Sequence, residues 1–310
     1  MTLYLVTGGA GFIGSHLVEA LAKRGARVRV LDDFSTGRRE NLAAVVNQIE
    51  LLEGDVSDPD VARRAVAGCD YVLHLAAVAS VQASLEDPRR VHRVNVNGTL
   101  NVLDAARGDG VRCVVLASTT ALYGDHTALP LREELPPRPL SPYAASKATG
   151  EAYCSAFHAS YGLPTVALRF FNIYGPRQDP TNPYSGVISI FANRMSRGER
   201  PTIYGDGRQT RDFVYVADVV RALLLACERE EAIGSVFNVA SGRQTSILQL
   251  AEELNHVLGV DLTPTLGPAR AGEVRFSQGD AGRARKALGW QPQVSLREGL
   301  AYLIEAEYRA

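Results

Sequence analysis

A glycine-rich segment near the amino terminus places the strongest constraint on the fold of this 310-residue chain. The segment GGAGFIG (8–14) joins the apolar run Leu3–Thr7 to a helical pattern, and its glycines are spaced GxxGxxG. Gly8 allows a tight turn, Gly11 lets the backbone approach a pyrophosphate, and Gly14 lets the helix pack closely on the strand. Since the N–H groups at the start of that helix would face the phosphates, the segment predicts a dinucleotide-binding βα unit.

Apolar runs alternate with helical patterns through the first half of the chain. The predicted strands are residues 3–7, 28–31, 49–52, 71–75, 111–117 and 165–169, and the predicted helices are residues 13–24, 61–67, 90–107 and 143–161. The strand patterns lack polar alternation, as expected for strands buried on both faces. This order predicts an α/β fold of the Rossmann type, with a doubly wound parallel sheet.

After about residue 170 the pattern changes to shorter elements separated by prolines. Residues 187–196, 246–258 and 296–309 are predicted helices, and residues 202–204 and 212–215 are predicted strands. Ser246 with Gln249 three residues later predicts a capping box. We expect residues 1–170 to form the dinucleotide-binding domain, with returning segments near 212–240, and residues 171–310 to form a smaller mixed α/β substrate lobe.

The net charge and the cysteine content limit the kinds of partner and site that are expected. A net charge of -1 gives no reason to expect nucleic acid. No apolar run approaches the roughly 18–20 residues that cross a bilayer, and the first strand runs into glycines with no signal peptide before it. The four cysteines contain no CxxC pair, so neither a metal site nor a redox dithiol is expected. We expect a cytoplasmic protein that does not bind membranes.

Acidic residues after the second and third predicted strands bear on the choice of dinucleotide. Asp32 is placed to hydrogen-bond both hydroxyls of an adenosine ribose, and a 2'-phosphate there would meet like charge from Asp32 and Asp33. NAD is therefore favoured over NADP, although Arg38 and Arg39 leave NADP open. Asp55 could contact adenine or could simply stabilise a turn.

A Tyr-x-x-x-Lys pair supplies candidate acid/base chemistry. Tyr143 and Lys147 lie on one face at the start of a predicted helix. Tyrosine titrates near pH ~10, so it becomes a base at neutral pH only if cationic charge favours its phenolate. Lys147 and an oxidised nicotinamide would provide that charge. Thr119, after the fifth predicted strand, could relay the proton or could only satisfy backbone groups.

With these residues in this order, the chain resembles the extended short-chain dehydrogenase/reductase family, and within it the nucleotide-sugar 4-epimerases. The resemblance spans the whole chain. It rests on TGGAGFIG (7–14), HLAA (74–77), NVNGT (95–99), SPYAASK (141–147), RFFNIYGPRQ (169–178), RDFVYVADV (211–219) and LGWQP (288–292). It implies bound NAD, a UDP-sugar substrate and a homodimer formed through the predicted helices 90–107 and 143–161.

The resemblance also implies the reaction. Tyr143, helped by Thr119, takes the proton from the 4-hydroxyl of the sugar while carbon 4 gives a hydride to NAD. The 4-keto sugar then turns, and the hydride returns to its other face. The related 4,6-dehydratases carry an Asp-Glu pair directly after their threonine. Thr120 and Ala121 occupy those positions here, so dehydration is not expected.

The family pattern assigns residues to both ligands. For the cofactor it implies Gly8, Gly11, Phe12, Ile13, Gly14, Asp32, Asp33, Asp55, Val56, Leu75, Ala76, Ala77, Asn95, Tyr143 and Lys147. For the substrate it implies Thr119, Asn172, Gly186, Val187, Tyr204, Arg211, Arg270, Glu273 and Ser277. Asn95 could instead cap a helix, Arg211 could instead form a surface ion pair with Asp212 or another carboxylate, and Arg270 sits in a weaker sequence context.

The choice of sugar depends on two positions. In the family, a bulky residue at the position of Ser277 restricts the pocket to simple hexoses, whereas a small one leaves room for an N-acetyl group. We therefore expect UDP-glucose/UDP-galactose and UDP-GlcNAc/UDP-GalNAc as substrates. UDP-glucuronate is the rival, because Arg177 could meet a 6-carboxylate. The sequence also allows a net reductase or decarboxylase that exchanges NAD with solution, and a noncatalytic NAD-binding protein.

Overall fold

The computed structural model describes residues 1–180, 186–269 and 274–309. Its strands are β1 Leu3–Thr7, β2 Arg27–Asp32, β3 Ile49–Glu53, β4 Tyr71–His74, β5 Cys113–Thr119, β6 Thr165–Phe170, β7 Asn172–Tyr174, β8 Thr202–Tyr204, β9 Thr210–Arg211, β10 Phe213–Tyr215, β11 Ser235–Val239, β12 Thr245–Ser246 and β13 Thr265–Gly267. Its α-helices are α1 Phe12–Lys23, α2 Pro59–Val66, α3 Val81–Glu86, α4 Pro88–Val91, α5 Gly98–Gly108, α6 Pro142–Tyr161, α7 Val187–Met195, α8 Val216–Glu228, α9 Ile247–Leu258, α10 Gly282–Leu288 and α11 Leu296–Glu307.

A seven-stranded sheet forms the centre of the molecule, in the order β3-β2-β1-β4-β5-β6-β11. All of its neighbouring strands are parallel. The predicted doubly wound fold is therefore confirmed. The strand order reverses between β1 and β4, and ligands of such sheets bind at the carboxyl ends of the strands beside this switch point.

The last strand of the sheet comes from the second half of the chain. β11 pairs with β6, and α8 packs against α1, β5 and β6. The sequence patterns predict no strand at β11 and no helix at α8. Most of α8 is buried, including Val219, Leu223 and Leu224. Only Ala217, Arg221, Leu225 and Glu228 of this helix are not buried, so its outer face is one narrow strip that is only partly polar.

The other lobe is built from short strand pairs and helices. β10 pairs with β7 in parallel, β13 with β8 in parallel, and β12 with β9 antiparallel. Its core includes Phe191, Met195, Leu250 and Leu303. The predicted capping box on α9 is present, because Ser246 Oγ accepts from the backbone N of Gln249 while that glutamine's side chain accepts in return.

The predicted helix over residues 90–107 is interrupted. α4 leads into a π-helical turn, His92–Asn97, and only then does α5 begin. The 3.6-residue period could not show this turn, because the inserted π geometry depends on tertiary contacts of Asn95. Single π turns occur frequently at functional sites.

Two further observations apply to the described parts of the chain. No helix there is both long and apolar enough to cross a membrane. No group of three or more His, Cys, Asp or Glu side chains there is placed to hold a metal ion.

Candidate active site

The glycine loop forms a cradle that side chains would fill. Gly8 has φ +69°, and a Cβ on it would lie 2.8 Å from the backbone N of Ala76. A Cβ on Gly14 would lie 2.1 Å from the carbonyl oxygen of Gly8. Gly11 caps α1 with no side-chain bond, so the N–H groups of the first helical residues, Phe12 and Ile13, face the cradle without a side-chain cap. These features fit the pyrophosphate of a dinucleotide.

Asp32 closes the cradle at the end of β2. It is buried, with Oδ2 accepting from Ala10 N at 2.8 Å and Oδ1 accepting from Phe34 N at 2.9 Å. Burial raises the pKa of Asp32 although both backbone bonds oppose the shift. Each carboxylate oxygen retains a lone pair, so the side chain can still accept from ribose hydroxyls.

The charged neighbours of Asp32 have partners within the protein. Asp33 accepts from the backbone N and Oγ of Ser35 in a tight turn. Arg38 pairs with Asp179 at 2.5 Å, and Arg39 pairs with Glu53. Because both arginines already bind carboxylates, they are poorly placed to select the 2'-phosphate of NADP, and the structure favours NAD.

The next strand end places the other predicted cofactor residues. Asp55 Oδ1 accepts from Ser57 N at 2.8 Å, which is the turn interpretation, and contact with adenine stays a prediction. Val56 is buried, and its carbonyl accepts from Asn101. Leu75, Ala76 and Ala77 follow β4 and are half-buried beside the cradle.

A buried hydrogen-bond chain joins the carboxyl ends of β1 and β4. Thr99 Oγ1 donates to the carbonyl of Asn95 at 2.6 Å, so it must accept from His74 Nε2–H at 3.0 Å. His74 Nδ1 then accepts from Thr7 Oγ1 at 2.8 Å, and Thr7 Oγ1 accepts from Ala76 N at 3.1 Å. The histidine is therefore neutral and its tautomer is fixed. Burial, with a smaller effect of Lys147, lowers the pKa of His74 to about 3.

Asn95 links the loop after β4 to the helix that carries the candidate base. Its side chain accepts from Val78 N at 2.8 Å and donates to Val78 O at 3.2 Å and Ser146 Oγ at 2.9 Å. Ser146 Oγ donates in turn to the carbonyl of Tyr143 at 2.7 Å. Asn95 lies inside the π turn, so the helix-cap interpretation is wrong; its contact with the cofactor stays a prediction.

Tyr143 and Thr119 meet at the entrance to α6. Ser141 caps this helix by accepting from Ala144 N at 3.2 Å, and Pro142 occupies its first turn. These residues fix the helix start, so that Tyr143 faces the end of β5. Burial raises the pKa of Tyr143, and the neighbouring Thr119 side chain opposes this by interacting with the phenol.

Lys147 is buried one turn further along α6. Its ammonium donates to the carbonyl oxygen of Ala117 at 2.8 Å. Burial lowers the pKa of Lys147 to about 8, and the nearby Glu151 carboxylate opposes this. In the protein alone the lysine is bound to the backbone of β5 and the pKa of Tyr143 is raised, so the effect of Lys147 and an oxidised nicotinamide on the phenol stays a prediction.

A buried ion pair between Glu151 and Arg169 joins α6 to β6, and no sequence motif predicted it. Glu151 accepts from Ser118 Oγ at 2.6 Å and from Arg169 Nη2 at 2.8 Å. Both charged side chains are less than 10% exposed, at 8% and 5%. Arg169 also donates to the Tyr123 hydroxyl at 2.8 Å. The only signal in the sequence was the position of Glu151, four residues after Lys147 on the same helix face.

Predicted substrate residues line the other lobe. Asn172 opens β7, and its backbone N donates to the carbonyl of Asp212 at 2.9 Å. The Arg211 guanidinium donates to the carbonyls of Thr210 and Val274, at 2.8 Å each. The Asp212 carboxylate is fully buried and accepts from Ser241, Gly242 and Gly279. The surface ion pair considered between Arg211 and Asp212 is therefore not what the structure forms.

The remaining substrate residues lie on separate elements. Gly186 caps α7 and Val187 begins it; Tyr204 ends β8 and is 39% exposed. Ser277 is buried, and its backbone N donates to Thr210 Oγ1 at 3.3 Å. Arg270 and Glu273 lie outside the described residues.

Arg177, the residue considered for a sugar carboxylate, has its partners elsewhere. Its guanidinium pairs with Glu19 of α1 at 2.5 Å and donates to the carbonyl of Asn41 at 3.4 Å. It is 25% exposed and lies against the outer side of the glycine-loop helix. This placement removes the reason for expecting it to bind a uronate.

The fold and site define a Rossmann-type enzyme in which a tyrosine and a lysine lie beside a dinucleotide cradle. The chain belongs to the NAD dependent epimerase/dehydratase family, whose model matches residues 4–240. This confirms the predicted family and cofactor.

Similar proteins cover the full length of the chain. A UDP-glucose 4-epimerase from Mycolicibacterium smegmatis is 42% identical over 305 residues, 97% of each protein. The structure of UDP-glucose 4-epimerase with UDP-glucose from Thermotoga maritima is 42% identical, has a TM-score of 0.94 and covers 98% of both chains. UDP-N-acetylglucosamine 4-epimerase from Methanobrevibacter ruminantium, in complex with UDP-N-acetylmuramic acid, is 37% identical, has a TM-score of 0.95, and covers 98% of this chain and 97% of that chain.

Proposed function

We propose that this chain catalyses the reversible NAD-dependent 4-epimerisation of UDP-hexoses through a 4-keto intermediate. The observation that carries the proposal is the placement of Tyr143, in the first turn of α6, next to Thr119 at the carboxyl end of β5, beside the glycine cradle. The similarity to two kinds of 4-epimerase, for UDP-glucose and for UDP-N-acetylglucosamine, supports it.

The reaction begins with a proton transfer that the residues of β5 and α6 can carry out. Tyr143 accepts the proton of the sugar's 4-hydroxyl, and Thr119 holds that hydroxyl or relays the proton. Lys147 contributes positive charge from within the protein. The cradle and Asp32 would hold NAD, which would supply the acceptor and donor for the hydride of carbon 4. Tyr143 finally returns the proton to the oxygen.

The raised pKa of Tyr143 explains why the base needs its cofactor. A free phenol is already protonated at neutral pH, and burial raises the pKa of Tyr143 further. Cationic charge beside the phenol opposes this, and both Lys147 and an oxidised nicotinamide would provide it. Proton removal is therefore favoured most when the oxidant is in place.

The proposed substrate class rests on small, uncharged side chains at the positions that distinguish the sugars. We propose UDP-glucose/UDP-galactose and UDP-GlcNAc/UDP-GalNAc, because Ser277 leaves space beside the 2-substituent. UDP-glucuronate is disfavoured because Arg177 binds Glu19. Thr120 and Ala121 carry no acid or base for dehydration. Contacts of Asn172, Gly186, Val187, Tyr204 and Arg211 with the nucleotide sugar belong to the same proposal.

The decisive experiment incubates the purified protein with separate UDP-sugars and separates the 4-epimers. We expect conversion of the glucose and N-acetylglucosamine forms without added NAD, because the cofactor is regenerated in each cycle. Tyr143→Phe should lower the rate by about 10²–10⁴-fold. Tyr153→Phe, on the same helix, is the matched control and should keep the rate. Absence of epimer formation from every sugar, or full activity in Tyr143→Phe, would refute the proposal.

We further propose a cytoplasmic homodimer with two functional parts. All four cysteines are free and buried, which suits a reducing compartment.

Helices α5 and α6 are the proposed dimer surface. Residues 1–170, with the returning 212–240 segment, are proposed to bind NAD, and residues 171–310 the sugar nucleotide. Light scattering tests the dimer: a monomeric mass at micromolar concentration would contradict it.

A further inference from the structure

A short segment after β7, residues 176–179, connects the NAD side of the molecule to the last helix, and we call it the clasp. The carbonyl of Pro176 accepts from His16 Nε2 on α1 at 3.0 Å. The backbone N of Arg177 donates to Glu307 of α11 at 2.8 Å. The clasp is thus held at one side by the helix of the glycine loop and at the other by the substrate lobe.

The segment that follows β2, residues 33–41, lies over the cofactor cradle; it is a loop as far as Arg38 and then enters a 3-10 helix, Arg39–Gln48. The carbonyl of Ala10, inside the glycine loop, accepts from Arg38 N at 3.0 Å and from Asn41 Nδ2 at 2.8 Å. A Cβ on Gly37 would lie 2.7 Å from the Asp32 carboxylate. The loop therefore covers the carboxylate that receives the adenosine ribose and is bonded to the pyrophosphate loop.

The clasp grips this covering loop at both of its anchor points. Asp179 pairs with Arg38 at 2.5 Å, and Arg177 donates to the carbonyl of Asn41 at 3.4 Å while pairing with Glu19 at 2.5 Å. The Arg177–Glu19 pair is the better protected, with 25% and 14% of the side chains exposed, against 57% and 33% for Arg38 and Asp179. Shielding makes the Arg177–Glu19 pair the stronger of the two ion pairs, and this pair holds the guanidinium that reaches the carbonyl of Asn41.

Backbone strain marks the same junction. Within the described residues, the non-glycine positions with positive φ are Phe34, at +56°, in the covering loop, and Arg177, at +68°, in the clasp. The guanidinium of Arg39 lies 4.1 Å from the centre of the Phe34 ring. Such conformations persist only where the surroundings hold them, and they concentrate at ligand clamps.

We propose that Arg177 and Asp179 hold the 33–41 loop closed over the dinucleotide, so that NAD stays bound from one turnover to the next. The inference rests on the proposed function, because a 4-epimerase must return its hydride from the cofactor that took it. Loss of the reduced cofactor at the ketone stage would leave a keto sugar and an inactive protein. A closed loop over the ribose prevents that loss.

The test measures release of cofactor rather than turnover. Each protein is loaded with radiolabelled NAD and chased with excess unlabelled NAD, and the retained label is followed by rapid filtration. Arg177→Ala should release NAD about tenfold faster or more, since it removes charge-assisted bonds. Asp179→Asn should release it a few-fold faster, because its ion pair is more exposed. Glu228→Ala removes the exposed pair between Glu228 and Arg24, which directly follows α1, and should match the wild type.

Two further variants separate the clasp from a general loss of stability. Arg177→Gly removes the side chain but relieves the positive φ, so it should release NAD as fast as Arg177→Ala while being more stable. Glu19→Gln removes the charge of the other partner in the Arg177–Glu19 pair and should also accelerate NAD release. If Arg177→Ala retains NAD like the wild type, or if release follows thermal stability across the set, the clasp assignment is overturned. This outcome is independent of the sugar panel, which tests epimerisation separately.

Discussion

The ammonium of Lys147 and the carbonyl oxygen of Ala117 are joined by a 2.8 Å hydrogen bond in the protein interior. The bond ties α6 to β5 two residues before Thr119, and so fixes the distance between the helix that carries the base and the strand that carries its hydroxyl partner. Lys147 therefore has a positioning role as well as an electrostatic one.

Replacing Lys147 should remove both roles, whereas raising the pH should remove only its charge. Lys147→Met removes both charge and bond, and we expect kcat to fall by about 10²-fold or more. Because burial lowers the pKa of Lys147 to about 8, the lysine is charged below that pH and neutral above it. Wild-type kcat should accordingly decline as pH rises through about 8. Initial rates from pH 6 to 10 test the expected decline in kcat. A rate that is unchanged by Lys147→Met would rule out a role for the lysine.

Substitution at Ser277 should change sugar selectivity. Ser277 is only 7% exposed, so Ser277→Tyr fills whatever space lies beside it. Discrimination between substrates by the size of a pocket is worth about 1–3 kcal/mol, so the N-acetylated sugar should lose roughly 10–100-fold in kcat/KM. UDP-glucose should be affected much less. Assaying both sugars on one preparation makes the ratio its own control, and Ser277→Ala should keep it. An unchanged ratio in Ser277→Tyr would show that Ser277 does not limit the pocket.

The neutral His74 should make stability depend on pH. Its pKa is lowered to about 3 in the folded protein, while an unfolded histidine titrates near ~6.5. Between those values only the unfolded state binds the proton, so stability falls as pH falls. From pH 6.5 to 5 this group alone costs about 2 kcal/mol. Urea unfolding at both pH values should show a smaller loss for His74→Gln; equal losses would contradict the buried neutral assignment.

Breaking the ion pair between Arg169 and Glu151 should destabilise the fold strongly. Arg169→Met leaves a carboxylate buried without its partner, and we expect a loss of about 3–5 kcal/mol in the free energy of unfolding. Arg169→Met combined with Glu151→Met should recover much of it, because no charge is left uncompensated. Arg24→Met, at an exposed pair, should cost less than about 1 kcal/mol. Denaturant titration measures all three, and a double variant no better than the single one would contradict this account.

Local patterns predicted much of the fold because their physical causes are local. The glycine spacing, the strand runs and the YxxxK pair depend on sterics and periodicity within a few residues. The predicted β1 and β8 match the structure residue for residue. The predicted α1 is displaced by one residue at both ends, and the predicted α6 begins one residue late. These elements were enough to indicate the cradle, Tyr143 and Lys147.

The parts that sequence reasoning missed depend on distant partners. Arg177 is a candidate for a substrate carboxylate by sequence, but it binds Glu19, 158 residues away along the chain. The π turn contains Asn95, whose side chain bonds Val78 and Ser146, which are distant along the chain. Neither outcome is visible in a periodic pattern, because the charge or amide alone does not specify which of many possible partners it meets.

The sequence by itself determined that this chain folds as a parallel sheet with a phosphate cradle and a tyrosine-lysine pair, since steric rules and hydrophobic spacing act along the chain. Only the tertiary structure decided how those groups are used. It bonded Lys147 to Ala117, kept His74 neutral and paired Arg177 with Glu19. Burial and the packing of distant segments set which polar group each of these side chains reaches, and so set its charge and its role.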